Sequence, residues 1–354
     1  MSKDTYSTMG QHRSVSGENI IDLRSDTVTR PGRGMREAMT NAPLGDDVYE
    51  EDPTVIALEQ QTASLLGKQA GLFVSSGTQG NLLAMLVHCQ RGGEFISGDS
   101  YHSFAEEGGG AAALGGISAC PLPLDENDRL SVDRVEAAIK PDDPHYPITQ
   151  LLCLENTVHG RVQPTEHINA LCEVARAGGL KVHLDGARLM NAAIALSQPA
   201  SELAASADSV SICLSKGLGA PIGSVLVGSA PFIKKARRMR KMLGGGTRQA
   251  GVLAACGLYA LEHNVNRLAE DHAHAKRLAE GLGAIDGVSV RYATNMVFVR
   301  VKESLARPLA EYLAQRNIII APRTPEIRLV MHLDISGDDV ETVVKAVADY
   351  FSAK

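Results

Sequence analysis

The chain has 354 residues, a formal net charge of -6 and a pI near 6.0, enough length to bury a large core and to divide into one big domain and a smaller one. That charge argues against a nucleic-acid partner; the one basic run, KKARRMRK at residues 234–241, has helical spacing and reads as a solvated or subunit-facing helix side, from which a lysine could reach a phosphate. Six cysteines (Cys89, Cys120, Cys153, Cys172, Cys213, Cys256) show no CxxC spacing and several stand in apolar runs, so neither a zinc site nor a disulfide framework is indicated.

Residues 1–18 are polar, rich in Ser and Thr, and lack the apolar core of a signal peptide, and no later run is long enough to span a bilayer. A short tail on a cytoplasmic, reduced protein is expected, followed by a large domain over residues 19–265 and a small one over 266–354. From residue 71 to 227 short apolar runs alternate with helical patterns: GLFVSS, a helix over about 78–90, then EFISGD, ISACPLPL, QLLCLEN, LKVHLDG, SVSICLS and GSVLVG. Runs rich in Val, Ile, Leu and Cys with intervening helices predict an α/β domain on a mostly parallel sheet covered on both faces. Beyond Gly251 a long helical pattern runs through Tyr259 and His272, and VSVRYATNMVFVRV and RLVMHLDIS read as antiparallel strands flanking helices. That makes a smaller α+β domain.

Two polar residues stand at the ends of apolar runs, Asp185 in KVHLDGARLMNA and Lys216 in SVSICLSKGLGAPIG. A lysine buried there would cost several kcal/mol in desolvation. Alone, Asp185 reads as a helix cap and Lys216 as a snorkelling loop residue. Together they suggest a lysine in covalent imine linkage with pyridoxal phosphate and an aspartate facing the ring nitrogen, which keeps the ring an electron sink.

In such sheets ligands bind beyond the carboxyl ends of the strands, and the polar clusters at 75–77, 99–102, 155–156, 185–188 and 215–216 all follow strand-like runs. Ser75, Ser76, Gly77, Thr78, Gln79 and Gly80 lie between a strand and a helix, where backbone N–H groups converge on a phosphate or simply cap the helix. His102 in GDSYH could stack on a planar ring or act as acid and base, and His145 in DDPHYP, directly ahead of QLLCLEN, is a second candidate base. Each also reads as a hydrogen-bonded surface histidine. Arg188, Arg248 and Arg328 offer the planar fork that holds a carboxylate, or are solvated arginines.

These residues resemble the low-specificity L-threonine aldolases, within the aspartate-aminotransferase-like fold type I of pyridoxal-phosphate enzymes. The motifs are IDLRSDTVTRP (21–31), GDDVYEEDPTV (45–55), SGTQGN (76–81), DGARLMNA (185–192), SKGLGAP (215–221), GGGTRQ (244–249) and RLVMHLDIS (328–336). The resemblance implies a large domain on a mostly parallel seven-stranded sheet with a smaller C-terminal α+β domain. It implies that Lys216 carries the cofactor, Asp185 pairs with the ring nitrogen, and Gly77, Thr78, Arg188, Arg248 and Lys241 help bind it. His102 would stack over the ring and share activation of the substrate hydroxyl with His145, while Ser25, Arg188 and Arg328 would hold the carboxylate. A homotetramer with sites at a dimer interface is also implied. Two departures stand out: Glu50 where the family commonly has Gly, and Val158-His159 where it has a His-Asn pair.

The expected activity is reversible cleavage of L-threonine, L-allo-threonine and related β-hydroxy-α-amino acids to glycine and an aldehyde. A β-eliminating lyase would use the same lysine and aspartate. A nucleotide-binding module would need GxGxxG after the first strand and an acidic residue after the second, and neither pattern occurs in that form. A catalytically silent scaffold would not need lysine, aspartate, histidine and arginines together.

Overall fold

The computed structural model describes residues 20–353, so the 1–18 tail lies outside the described residues. The chain forms two compact units: residues 20–30 with those from Asn266 onward, and Pro31–Val265. The large domain is expected from residue 19, but residues 20–30 join the C-terminal unit. The reason is backbone pairing: β1 (Ile21–Asp22) runs parallel to Ile318–Ile319.

The larger unit opens with α1 (Arg33–Thr40) and α2 (Pro53–Leu65). The start of α2 is set by Asp52, whose carboxylate accepts the N–H groups of Thr54 and Val55 at 3.1 Å each, with Pro53 in the first turn. There follow β2 (Ala70–Val74), α3 (Gly77–His88), β3 (Glu94–Gly98), α4 (His102–Ala105), β4 (Ser118–Leu122), α5 (Val132–Ala138), β5 (Thr149–Glu155), α6 (Thr165–Ala177) and β6 (Lys181–Asp185). The unit ends with α7 (Leu189–Leu196), α8 (Ala200–Ala204), β7 (Ser209–Cys213), β8 (Ser224–Gly228), α9 (Ala230–Met242) and α10 (Gly251–His263).

Seven strands form one sheet in the order β2-β8-β7-β6-β5-β3-β4. Only β8 is reversed, antiparallel to both β2 and β7; the others share one direction. β3 and β7 are buried at every position, as expected of strands covered on both faces. β4 is one of the two edge strands, which is why it tolerates Pro121. With this topology the carboxyl ends of β2, β3, β5, β6 and β7 open on one side of the sheet, and each leads into one of the polar clusters.

The smaller unit comprises β1, α11 (Leu268–Gly283), β9 (Ser289–Ala293), β10 (Met296–Arg300), α12 (Glu303–Ala314), β11 (Ile318–Ile319), β12 (Ile327–Val330) and α13 (Gly337–Ser352). Its antiparallel sheet has the order β12-β10-β9, over a core that includes Leu278, Leu282, Val297, Leu309, Ile318 and Val343. Ser336 and Asp339 close a reciprocal capping box at the start of α13. The long helical pattern expected after Gly251 is two helices, α10 and α11, interrupted by turns at 264–267. No helix among the described residues is long and apolar enough to cross a membrane.

Candidate active site

Asp185 ends β6 and is 3% exposed. A buried carboxylate needs donors, and it has two: Asn81 Nδ2 donates to Oδ2 at 2.7 Å and the Ala187 N–H to Oδ1 at 2.9 Å. Asn81, on α3 and 1% exposed, donates through the same Nδ2 to Glu107 Oε1 at 2.8 Å. Glu107 Oε1 also pairs with His102 Nδ1 at 2.9 Å, and an imidazole nitrogen of His102 and one carboxylate oxygen each of Glu107 and Asp185 lie within 4.8 Å of one another. An imidazole and two carboxylates thus meet on the side of the sheet where β3, β5 and β6 end.

Their titration reflects this crowding. The hydrogen bond to Glu107 raises the His102 pKa, assisted by the charge of Asp185 and opposed by burial and by Lys216. Burial raises the Glu107 carboxyl, which the bonds from His102 and Asn81 counter. Glu155, at the end of β5, accepts the His102 backbone N–H at 2.8 Å. Burial, with the charge of Asp185, pushes it up to about 7.

Lys216 follows β7 on an irregular turn and is half-buried. It shares a narrow crevice with Gly186, Arg188, Asn191 and Cys213. On the same side α3 begins: Ser76 caps it, accepting the Gln79 N–H at 3.1 Å, and leaves first-turn N–H groups at a dipole end that favours anions. Gly77 is required there by packing, because a Cβ would stand 2.7 Å from Cys213 Sγ. The arrangement therefore offers an amine nucleophile, a buried carboxylate, an oriented imidazole and an anion-accepting helix end.

The other candidates fall elsewhere. Arg188 is the N-cap residue of α7 in the Lys216 crevice. Arg248 is exposed and pairs with Asp46 at 3.1 Å, and Lys241 at the end of α9 is exposed alongside Gly246. Ser25 and Arg328 belong to the smaller unit, where Ser25 Oγ accepts the Thr27 N–H at 3.2 Å and Arg328 lies opposite Phe298 in β12. His145 is not brought to the cluster within one chain: its side chain is 87% exposed and paired with Asp143 at 2.7 Å. A loop that precedes a parallel strand opens at the amino end of the sheet, opposite the crevice, so standing directly ahead of β5 leads away from it.

Neither Asn81 nor Glu107 stands out as a site residue from sequence. Asn81 closes SGTQGN and Glu107 follows His102 by one helical turn and a residue; only spatial neighbours reveal what they do. Both departures lie in turns. Glu50 has φ 59° and His159 φ 49°, left-handed values that Gly and Asn adopt most readily, and His159 pairs with Asp128 at 3.2 Å.

Residues 22–304 match the family model described as beta-eliminating lyase. The low specificity L-threonine aldolase of Escherichia coli (strain K12) is 50% identical over 324 residues, 92% of this chain and 97% of that one. The low-specificity L-threonine aldolase 1 of Arabidopsis thaliana is 47% identical over 335 residues, 90% of this chain and 93% of that protein. The solved threonine aldolase of Leishmania major superposes with a TM-score of 0.79 at 19% identity, over 94% of this chain and 99% of that one, and so shares the fold. The chain belongs to the beta-eliminating lyase family and, within it, to the low-specificity L-threonine aldolases.

Proposed function

We propose that the chain is a pyridoxal-phosphate-dependent aldehyde-lyase that cleaves L-threonine, L-allo-threonine and related β-hydroxy-α-amino acids to glycine and an aldehyde, reversibly. The observation that carries the reading is the meeting of Asp185, His102 and Glu107 at the strand ends onto which Lys216 also opens. The residues fit the cofactor. A buried carboxylate with both oxygens already supplied with donors suits the ring nitrogen; the α3 N-terminus, with Gly77 and Thr78, suits the phosphate; and Lys216 suits the aldehyde. Arg248 and Lys241, both exposed, are assigned to the phosphate as well, in the site of a neighbouring copy.

When bound, pyridoxal phosphate supplies an electron sink for the pair released at Cα. The chain's own residues orient the substrate and move its proton. Arg188, beside Lys216 in the crevice, matches a carboxylate with its planar fork; Ser25 and Arg328 take the same role on resemblance. Holding the carboxylate decides which Cα bond breaks. With Glu107 accepting the Nδ1 proton of His102, Nε2 keeps its lone pair and takes the β-hydroxyl proton as the Cα–Cβ bond breaks. The raised His102 pKa keeps that nitrogen basic. His145, exposed in its own chain, is assigned to the hydroxyl in a partner's site, within a homotetramer in the cytoplasm.

Product identification by NMR after incubation with L-allo-threonine and, separately, L-threonine tests the reading. Glycine plus acetaldehyde supports it. 2-Oxobutanoate and ammonia would mean elimination, and the aldolase assignment would fall while the cofactor site stood.

A further inference from the structure

Behind the site runs a chain of buried polar groups that the reaction above does not use. Asn81 Oδ1 accepts from Ser211 Oγ at 2.7 Å and meets His183 Nε2 at 3.0 Å. His183 is fully buried on β6, and its Nδ1 meets Ser209 Oγ at 2.9 Å. Ser209 Oγ in turn meets His88 Nε2 at 2.9 Å, where His88 stacks on Phe232.

The protons in this chain can be assigned. Two carboxylates, Asp185 and Glu107, face one end of the Asn81 amide, so that end must be the NH2 group, with one N–H for each. The oxygen then faces His183, whose Nε2 must carry a proton. Burial holds His183 down to about 4 and His88 to about 3, so both are neutral; His183 Nδ1 accepts the Ser209 hydroxyl, and Ser209 Oγ accepts the His88 Nε2–H. Every polar atom of Asn81 is used. An amide carbonyl does not relay protons as an imidazole does, so the chain orients groups and does not conduct.

We propose that Asn81 is a positioning residue: its amide, oriented by His183 and Ser211, locks the cofactor-facing Asp185 to the His102–Glu107 acid–base pair. This rests on the aldolase reading for the roles of Asp185 and His102, but the coupling itself is a property of the apoprotein. Without Asn81 the two carboxylates lose their shared donor, which favours the protonated form of Glu107 beside the Asp185 charge and weakens Glu107 as the partner of the His102 imidazolium. Glu107, Asp185 and Lys216 are the charged groups acting on that imidazole, and Glu155, which accepts the His102 backbone N–H, interacts with its charge.

The test is histidine NMR on the apoprotein, with pyridoxal phosphate titration as a second readout. In the native protein His183 should appear as the Nε2–H tautomer; the Nδ1–H tautomer or a cation overturns the proposal, whatever the variants do. In folded Asn81→Ala the His102 titration should move to lower pH, and pyridoxal phosphate should bind about tenfold more weakly, the loss of one hydrogen bond to a charged group. A native His102 titration, or native cofactor affinity, in that variant overturns it. Ser211→Ala, which keeps both N–H donors, should leave the His102 titration near the native one; a shift as large as that of Asn81→Ala would mean general loosening and overturns it too. Release of 2-oxobutanoate from L-threonine would defeat the aldolase reading and leave these measurements untouched.

Discussion

The first turn of α3 and the last residue of β7 are packed so closely that one methyl group should couple them. A Cβ at residue 77 would lie 2.7 Å from Cys213 Sγ, inside the 3.0 Å that real Cβ contacts respect. Neither side can yield easily: Gly77 opens a helix capped by Ser76, and Cys213 is buried with its sulfur accepting the Ser224 hydroxyl at 3.3 Å. Overpacking of this kind destabilises by about 1–3 kcal/mol. Cys213→Ala alone removes a buried sulfur and should lose about 1 kcal/mol. In the double variant Gly77→Ala/Cys213→Ala the new methyl enters the space the sulfur left, so the pair should be about 1–2 kcal/mol more stable than the two single effects predict. Urea unfolding of the apoproteins at one fixed protein concentration measures the cycle. Because Cys213 stands just ahead of Lys216 and Gly77 begins the turn proposed to hold the phosphate, pyridoxal phosphate affinity should fall in Gly77→Ala and recover in the double variant. Additivity within about 0.5 kcal/mol would refute the packing account.

Lys216→Ala should abolish turnover and leave no cofactor that borohydride can fix to the chain, and any retained turnover sinks the assignment of the nucleophile. Glu155 is raised to about 7 by burial and by Asp185, so the folded apoprotein holds its proton more tightly than the unfolded chain does. Its contribution to stability is therefore full below the ordinary carboxylate range near 4.5 and is lost as pH rises through about 7. The urea midpoint of the apoprotein should fall more steeply between about pH 5 and pH 7 in the native chain than in Glu155→Gln, and parallel curves would contradict this. Glu50→Gly should stabilise by about 1 kcal/mol, since the residue holds φ 59° with a side chain 68% exposed and its cation, Arg237, 3.9 Å away; a lower urea midpoint would show that the Arg237 contact outweighs the backbone strain.

Short apolar runs with polar ends were enough to place the strands of the main sheet, because burial on both faces leaves a continuous local signal. The same logic exposed Asp185 and Lys216, polar residues where desolvation penalises them, and Ser76 to Thr78 as a helix start. Long-range pairing carries no such local mark. The allegiance of residues 20–30 depends on a strand almost 300 residues later, and His145 looked close to the crevice only because adjacency in sequence does not say which end of a parallel strand a loop occupies. The partners that orient the site are equally remote: Asn81 reaches Asp185 across 104 positions and His183 across 102. Sequence by itself therefore determined the fold class, the family and the two polar residues that stand at and just beyond strand ends. Only the tertiary structure decided which imidazole meets a carboxylate and which amide holds them in place, because hydrogen-bond geometry is set by the order of strands in the sheet and not by spacing along the chain.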